Sequence, residues 1–267
     1  MKNYFTQFIK GIFSYKEAMV FLFNNKLLYF LIFPILFNFF LSSLVFYFLE
    51  MGSDYLHDRL LFLINSMLGT VVLNGGVISK VISISLWIFS KIFFLFLFLI
   101  FSGYITIIIL SPIFTFLSEK IAAIKTGHNY SFKLLQFFKD VFRAGVIAIR
   151  NIFIQFILML LFFLLGFVPL IGWAISIFGN AIVTSYFYGF SFMDFSNERN
   201  KRSIKESVNF IRKNGGIAIG IGLMFYCCLL IPLVGSFFAS LLSIISLTAA
   251  TLSVEEMNIN STGLQSS

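Results

Sequence analysis

Two stretches decide what this chain can become: 43 consecutive residues between Arg150 and Asp194, and 41 between Lys213 and Glu255, carry no charged side chain. A hydrocarbon core about 30 Å thick is crossed by about 20 apolar residues, so each stretch is long enough to enter and leave a bilayer. Both are interrupted near the middle by the same word, "FVPLIG" from Phe167 and "LIPLVG" from Leu230. Proline ends one helix and glycine permits a tight reversal. Each stretch is therefore expected to form a helical hairpin, turned at Pro169–Gly172 and at Pro232–Gly235. Without a four-residue tip, the arms keep roughly 17–20 residues, about 25–30 Å of helix. The tips either loop out at the far surface or stop at its edge, where irregular backbone must be buried in protein or line a wet cavity.

The totals agree with lipid as the solvent. The chain has 267 residues, 59% hydrophobic and 11% charged, against about 45–50% and 25% in soluble domains. The 39 phenylalanines are read as lipid-facing and core side chains with no further role. Residues 3–23 place Phe5, Phe8, Ile9, Ile12 and Phe13 at helical spacing among Lys10, Lys16 and Glu17, the pattern of a helix lying in the headgroup region. Leu27–Leu49 is a first span, with Pro34 expected to kink it. It is longer than a signal-peptide core and no small-residue cleavage site follows, so it is expected to stay as an anchor. Ile92–Leu110 is a second span. The reading is all-α: one helical membrane domain over 1–254 with a short polar tail over 255–267, in which "MNINSTGLQSS" (257–267) is expected to be disordered.

Basic residues concentrate in 113–150 and 194–213, whereas 50–80 carries Glu50, Asp54 and Asp58. The positive-inside rule then puts both termini and the basic segments on the cytoplasmic face. The net charge of +8 is explained by these loops and requires no nucleic acid. Lys26 and Lys91 are expected to reach for the interface.

No carboxylate or histidine lies inside an apolar tract. Proton-coupled carriers place such groups there as relays, and intramembrane catalysis needs a nucleophile with a base or a metal cluster. Neither pattern is present, so no enzyme, cofactor or metal is expected. His57 and His128 stand apart, and the adjacent Cys227 and Cys228 read as reduced, inert thiols. Gly216 and Gly220 have the four-residue spacing that lets helices approach closely. One segment suits a ligand. In "LSPIFTFLSEKIAAIKTG" (110–127), Ser111 can cap, Pro112 suits a first helical position and Gly127 a stop. A short helix over 112–125 would then offer free N–H groups, with the Ser111 and Thr115 hydroxyls, as an anion seat; an interfacial helix is the alternative.

The order of these features resembles the CysZ/etoposide-induced protein family of membrane proteins, over about residues 5–254. "FPILFN" (33–38) is similar to the family's first-span pattern through Pro34 and Asn38. "SPIFTFLSEKIAAIKTG" (111–127) is similar to its Pro-Phe helix, the two Pro-Leu-x-Gly words to its hairpin turns, and "MDFSNERNKRSIKE" (193–206) to a segment carrying Asp194, Lys201, Lys205 and Glu206. The resemblance implies spanning helices plus partly penetrating hairpins, a homo-oligomer in a bacterial inner membrane, and uptake of a small inorganic anion, sulfate or sulfite, feeding cysteine synthesis. It carries anion contact to Thr115, Phe116, Leu117, Ser118, Glu119 and Lys120, with Lys26 as a nearby cation. Two departures stand out: the transporters' paired arginines fall on Leu28 and Tyr29, and a family glycine falls on Thr115. Two function classes follow, an oxyanion permease or channel and a non-transporting membrane scaffold of the same fold.

Overall fold

The computed structural model describes residues 3–68, 76–127, 134–168, 171–231 and 234–262. Every regular element among them is helical: α1 (Tyr4–Asn24), a 3-10 turn (Leu28–Leu31), α2 (Ile32–Leu68), α3 (Val77–Thr126), α4 (Leu134–Leu165), α5 (Ile171–Arg199), α6 (Ile204–Lys213), α7 (Gly215–Leu229) and α8 (Gly235–Thr262). Three described helical segments are long and apolar enough to cross a membrane, Gly103–Thr126, Gly145–Leu165 and Gly235–Asn260; α1 with Leu28–Asn38 makes a fourth if that bent pair counts as one span. The protein is an all-α membrane protein.

The chain forms two compact units. In the first, Met1–Ile35 with Gly103–Ser267, α5 and α7 are the centre, with α1 and α8 packed on α7 and α4 on α5. Small residues set these crossings. A Cβ on Gly222 would lie 1.7 Å from the Ser185 carbonyl oxygen, and one on Gly189 would lie 1.8 Å from that of Ala218. Gly216 and Gly220 press on the backbone of Tyr4 and Phe8 in the same way. The apolar stretch of α8 is 72% buried and that of α4 only 22%. The outer face of α4 shows Phe153, Phe156 and Phe163, side chains that lipid solvates.

In the second unit, Leu36–Ser102, the inner face of α2 meets α3 at Gly52, which leaves room for the Phe94 ring. Lys91 Nζ lies 3.1 Å from Glu50 and 3.7 Å from Asp54, over the Trp87 ring.

Several expectations change. Residues 3–23 do form a helix, yet α1 buries Gln7, Gly11, Ser14, Tyr15, Ala18 and Leu22, while Phe5 and Phe13 point outward. The small side is the packing side because backbone must approach backbone: a Cβ on Gly11 would meet the Ile217 oxygen at 2.6 Å. The chain bends by 109° between α1 and Leu28–Asn38, at a turn where Lys26 is left-handed (φ 56°). Pro34 does not kink a span. It sits in the first turn of α2, where a missing N–H costs nothing. The first span begins in the 3-10 turn and continues into a 37-residue helix, and the second is part of a 50-residue one. Residues 257–262 of the tail are helical and not disordered: α8 runs to Thr262.

Both hairpins form around their turns. A Cβ on Gly172 would lie 2.0 Å from the Leu165 oxygen, and one on Gly235 2.5 Å from that of Cys228. Pro169 and Pro232 lie outside the described residues. With 15 residues, α7 is about 22 Å long, short of a hydrocarbon core of about 30 Å.

Candidate functional site

The anion seat expected at the start of a 112–125 helix is not formed, because α3 passes through Ser111 and Pro112 without a break. Pro112 has no N–H for the carbonyl of Ile108, four residues back, and a proline there ordinarily breaks or kinks the helix. The Ser111 hydroxyl donates to that same Ile108 oxygen at 2.7 Å. Serine repairs the bond that proline removes, so it does not cap, and no row of free N–H groups exists at this level.

The expected anion contacts are instead strung along three sides of α3. Leu117 is buried, Glu119 half-buried, and the Thr115 hydroxyl is buried without a partner. Phe116 and Lys120 turn toward the 3-10 turn: the Phe116 ring lies 6.0 Å from Phe30, and Lys120 Nζ donates to the Tyr29 hydroxyl at 2.8 Å, 5.3 Å from the ring centre. Ser118 faces the core, where its hydroxyl and its carbonyl oxygen accept from Nη1 of Arg199. Lys26 is exposed and belongs to neither group. Asn38 is buried in α2.

Arg199 joins a charged cluster at the ends of α3, α4, α5 and α8. Its Nη2 pairs with Glu255, both side chains almost wholly buried. Beside it, Arg143 of α4 lies 3.1 Å from Asp194 and 3.8 Å from Glu198, and Ser207 of α6 donates to the same Asp194 oxygen. Arg202 reaches Asn197 at 2.5 Å and Asn258 at 2.8 Å and lies over Phe210 at 4.0 Å. Three arginines stand with three carboxylates and their formal charges balance, as buried charge requires, while Arg143 Nε is buried without a hydrogen-bond partner. Lys201 and Lys205 stay exposed outside it. Glu206 closes a capping box with Ser203 at the start of α6. The Ser203 backbone N–H, then its hydroxyl, hold the Glu206 carboxyl below its usual range.

From this cluster a polar seam runs inward between α3, α4 and α5. Asn151 donates to the Ser191 hydroxyl at 3.4 Å, and a small cleft lies among Ile107, Ile147, Ser191, Asp194 and Phe195. Deeper, the Tyr104 hydroxyl donates to the Gln155 side-chain oxygen, and Gln155 Nε2 donates to Thr184 at 3.0 Å. Reading for ionised groups passes over this seam, since its members are neutral. The legible signal is spacing: Arg143, Ile147, Asn151 and Gln155 recur every fourth residue and so share one face of α4.

Among the described residues no cluster of His, Cys, Asp and Glu could hold a metal. A search of curated proteins finds no match to the chain. The family described as "Sulfate transporter CysZ/Etoposide-induced protein 2.4" matches residues 14–240, a range that takes in the turns, the seam, the Lys120–Tyr29 contact and the charged cluster except Glu255 and Asn258. With most of its length matched, the chain belongs to the sulfate transporter CysZ/etoposide-induced protein 2.4 family.

Proposed function

We propose that this protein is a membrane permease or channel for a small oxyanion, sulfate by family membership, supplying sulfur for assimilation into cysteine. It works as a homo-oligomer in a bacterial inner membrane, with its basic segments and both termini in the cytoplasm. The observation that carries this reading is the Lys120–Tyr29 contact. The family's transporters carry paired arginines where this chain has Leu28 and Tyr29, and the Lys120 ammonium lies 2.8 Å from the Tyr29 hydroxyl. A cation contributed by α3 thus takes the place of one contributed by the preceding turn. An ammonium beside a phenol supplies charge and hydrogen-bond donors to an oxyanion, without the bidentate fork of a guanidinium. A charge-balanced cluster with no ionised group deeper in the seam among the described residues supports passage without a proton relay.

Binding tests the reading. Melting of the purified protein is followed in sulfate and in chloride at equal ionic strength. A ligand at a hundred times its dissociation constant stabilises the folded state by about 2.7 kcal/mol, so sulfate raises the melting temperature and chloride does not. Lys120→Gln removes the charged donor, worth about 1.5–3 kcal/mol, and abolishes most of the shift. Equal melting in both salts for the wild-type chain rejects the oxyanion reading and favours the membrane scaffold.

A further inference from the structure

The polar seam between α3, α4 and α5 does more than join helices: we propose that it is the route of the permeating oxyanion, with Gln155 as its innermost selecting side chain. This rests on the permease reading above and gives it a path.

Four observations carry it. First, the seam is continuous along one face. Arg143, Asn151 and Gln155 lie on one side of α4, and from Arg143 to Gln155 they extend about 18 Å at 1.5 Å per residue. Opposite them on α5 stand Asp194, Ser191 and Thr184, with Tyr104 of α3 closing the inner end. Second, these groups are buried, Arg143 at the end excepted, while the other side of the same α4 turns Phe153 and Phe156 outward. Polar side chains gathered inward in a lipid-embedded bundle mark pathways. Third, each neutral member has an N–H or O–H donor, which is the chemistry an oxyanion needs, and the seam holds no carboxylate deeper than Asp194. Fourth, the packing opens into a cleft at Ser191 and Asp194, between the Asn151 level and Arg143.

In this structure the donors are spent on one another: Tyr104 on Gln155, Gln155 on Thr184, Asn151 on Ser191. An entering oxyanion takes those bonds in turn, so the exchange leaves few donors unsatisfied. Arg143, held by Asp194 and Glu198, stands at the seam's outer end, where the anion competes with carboxylates of its own sign for one guanidinium. Gln155 presents both a donor pair and an acceptor at the seam's inner end, so Gln155→Glu turns a donor into an anionic oxygen and opposes an anion while keeping the side chain's shape.

The test uses the full chain with Cys227→Ala and Cys228→Ala, reconstituted in liposomes, and single cysteines introduced as Ser191→Cys, Thr184→Cys and, on the outer face of α4, Phe156→Cys. Two water-soluble thiosulfonate reagents are compared, one bearing a sulfonate and one a quaternary ammonium. Ser191→Cys and Thr184→Cys are expected to react with the sulfonate reagent on the order of tenfold faster than with the cationic one, and added sulfate slows the reaction. Phe156→Cys stays unreactive. A protein that elutes as the wild type yet shows no reaction at Ser191→Cys and Thr184→Cys, or shows equal rates unaffected by sulfate, overturns the inference and leaves the seam as helix glue. Sulfate uptake is measured beside it. Wild-type uptake with an unchanged Gln155→Glu rate also overturns the route, whereas failure of wild-type uptake overturns the permease reading alone and leaves the labelling pattern to decide the seam.

Discussion

The crossing of α5 and α7 offers a sharp test of how this bundle is held. Gly222→Ala adds one carbon where the structure leaves none: the new Cβ would lie 1.7 Å from the Ser185 oxygen and 2.6 Å from the Gly189 nitrogen. Both are backbone atoms, which cannot turn aside as a side chain would. Reaching ordinary contact requires the two helices to part by roughly 1.5 Å, and gaps of 0.5–1 Å already forfeit a quarter to a half of a contact. The same displacement opens the aromatic cluster on that face, where the Phe225 ring lies 5.0 Å from Tyr188 and 5.1 Å from Phe192. Overpacking costs about 1–3 kcal/mol and each aromatic pair about 0.5–1.5 kcal/mol, while alanine's helix propensity returns about 1 kcal/mol. The net is a loss of about 3 kcal/mol, read as a fall of roughly 6–12 °C in melting temperature for a chain of this size. Gly215→Ala is the control, since its Cβ would meet only side-chain atoms of Tyr4 and Tyr186 at 3.6 and 3.7 Å, and it melts with the wild type or slightly above it through the same helix propensity. If Gly222→Ala melts with the wild type too, close backbone packing does not hold α5 and α7 together.

Three further outcomes are expected. Arg199→Leu strands the buried Glu255 and costs about 3–5 kcal/mol, whereas the double change with Glu255→Leu recovers most of it; thermal melts of both singles and the double measure the coupling. Ser203→Ala removes the cap of α6 and costs about 1 kcal/mol, read by the same melts. The Glu206 carboxyl titrates below its ordinary value of 4.5 in the folded protein. Its contribution to stability is therefore full above that value and is lost as pH falls beneath it toward the folded value; melts taken across that acid range show a shallower loss in Glu206→Gln.

Much of the fold is legible in the residues. Forty uncharged positions with a central proline and glycine force a hairpin, because lipid allows the backbone no other partner than itself. What escapes is pairing at a distance. Arg199 lies just past one apolar tract and Glu255 closes the other, and nothing local says that their side chains meet. Ser111 and Pro112 read as a helix start by every capping rule, yet the same hydroxyl that could cap also satisfies the carbonyl that proline orphans. The sign of that choice is set by whether the preceding residues remain helical, which depends on packing. The packing side of α1 is also set at a distance: Phe5 and Phe13 point outward, and the small side around Gly11 makes the tight contact. Lys120 was named as a candidate on family resemblance, while its contact with Tyr29 required the fold.

Transport itself remains the decisive measurement: entry of labelled sulfate into liposomes carrying the purified wild-type chain, beside protein-free liposomes and the Lys120→Gln variant. Filling well above the protein-free rate, slowed about tenfold or more by loss of the ammonium, is the predicted result. Sulfate, sulfite and phosphate all entering at the protein-free rate would contradict it.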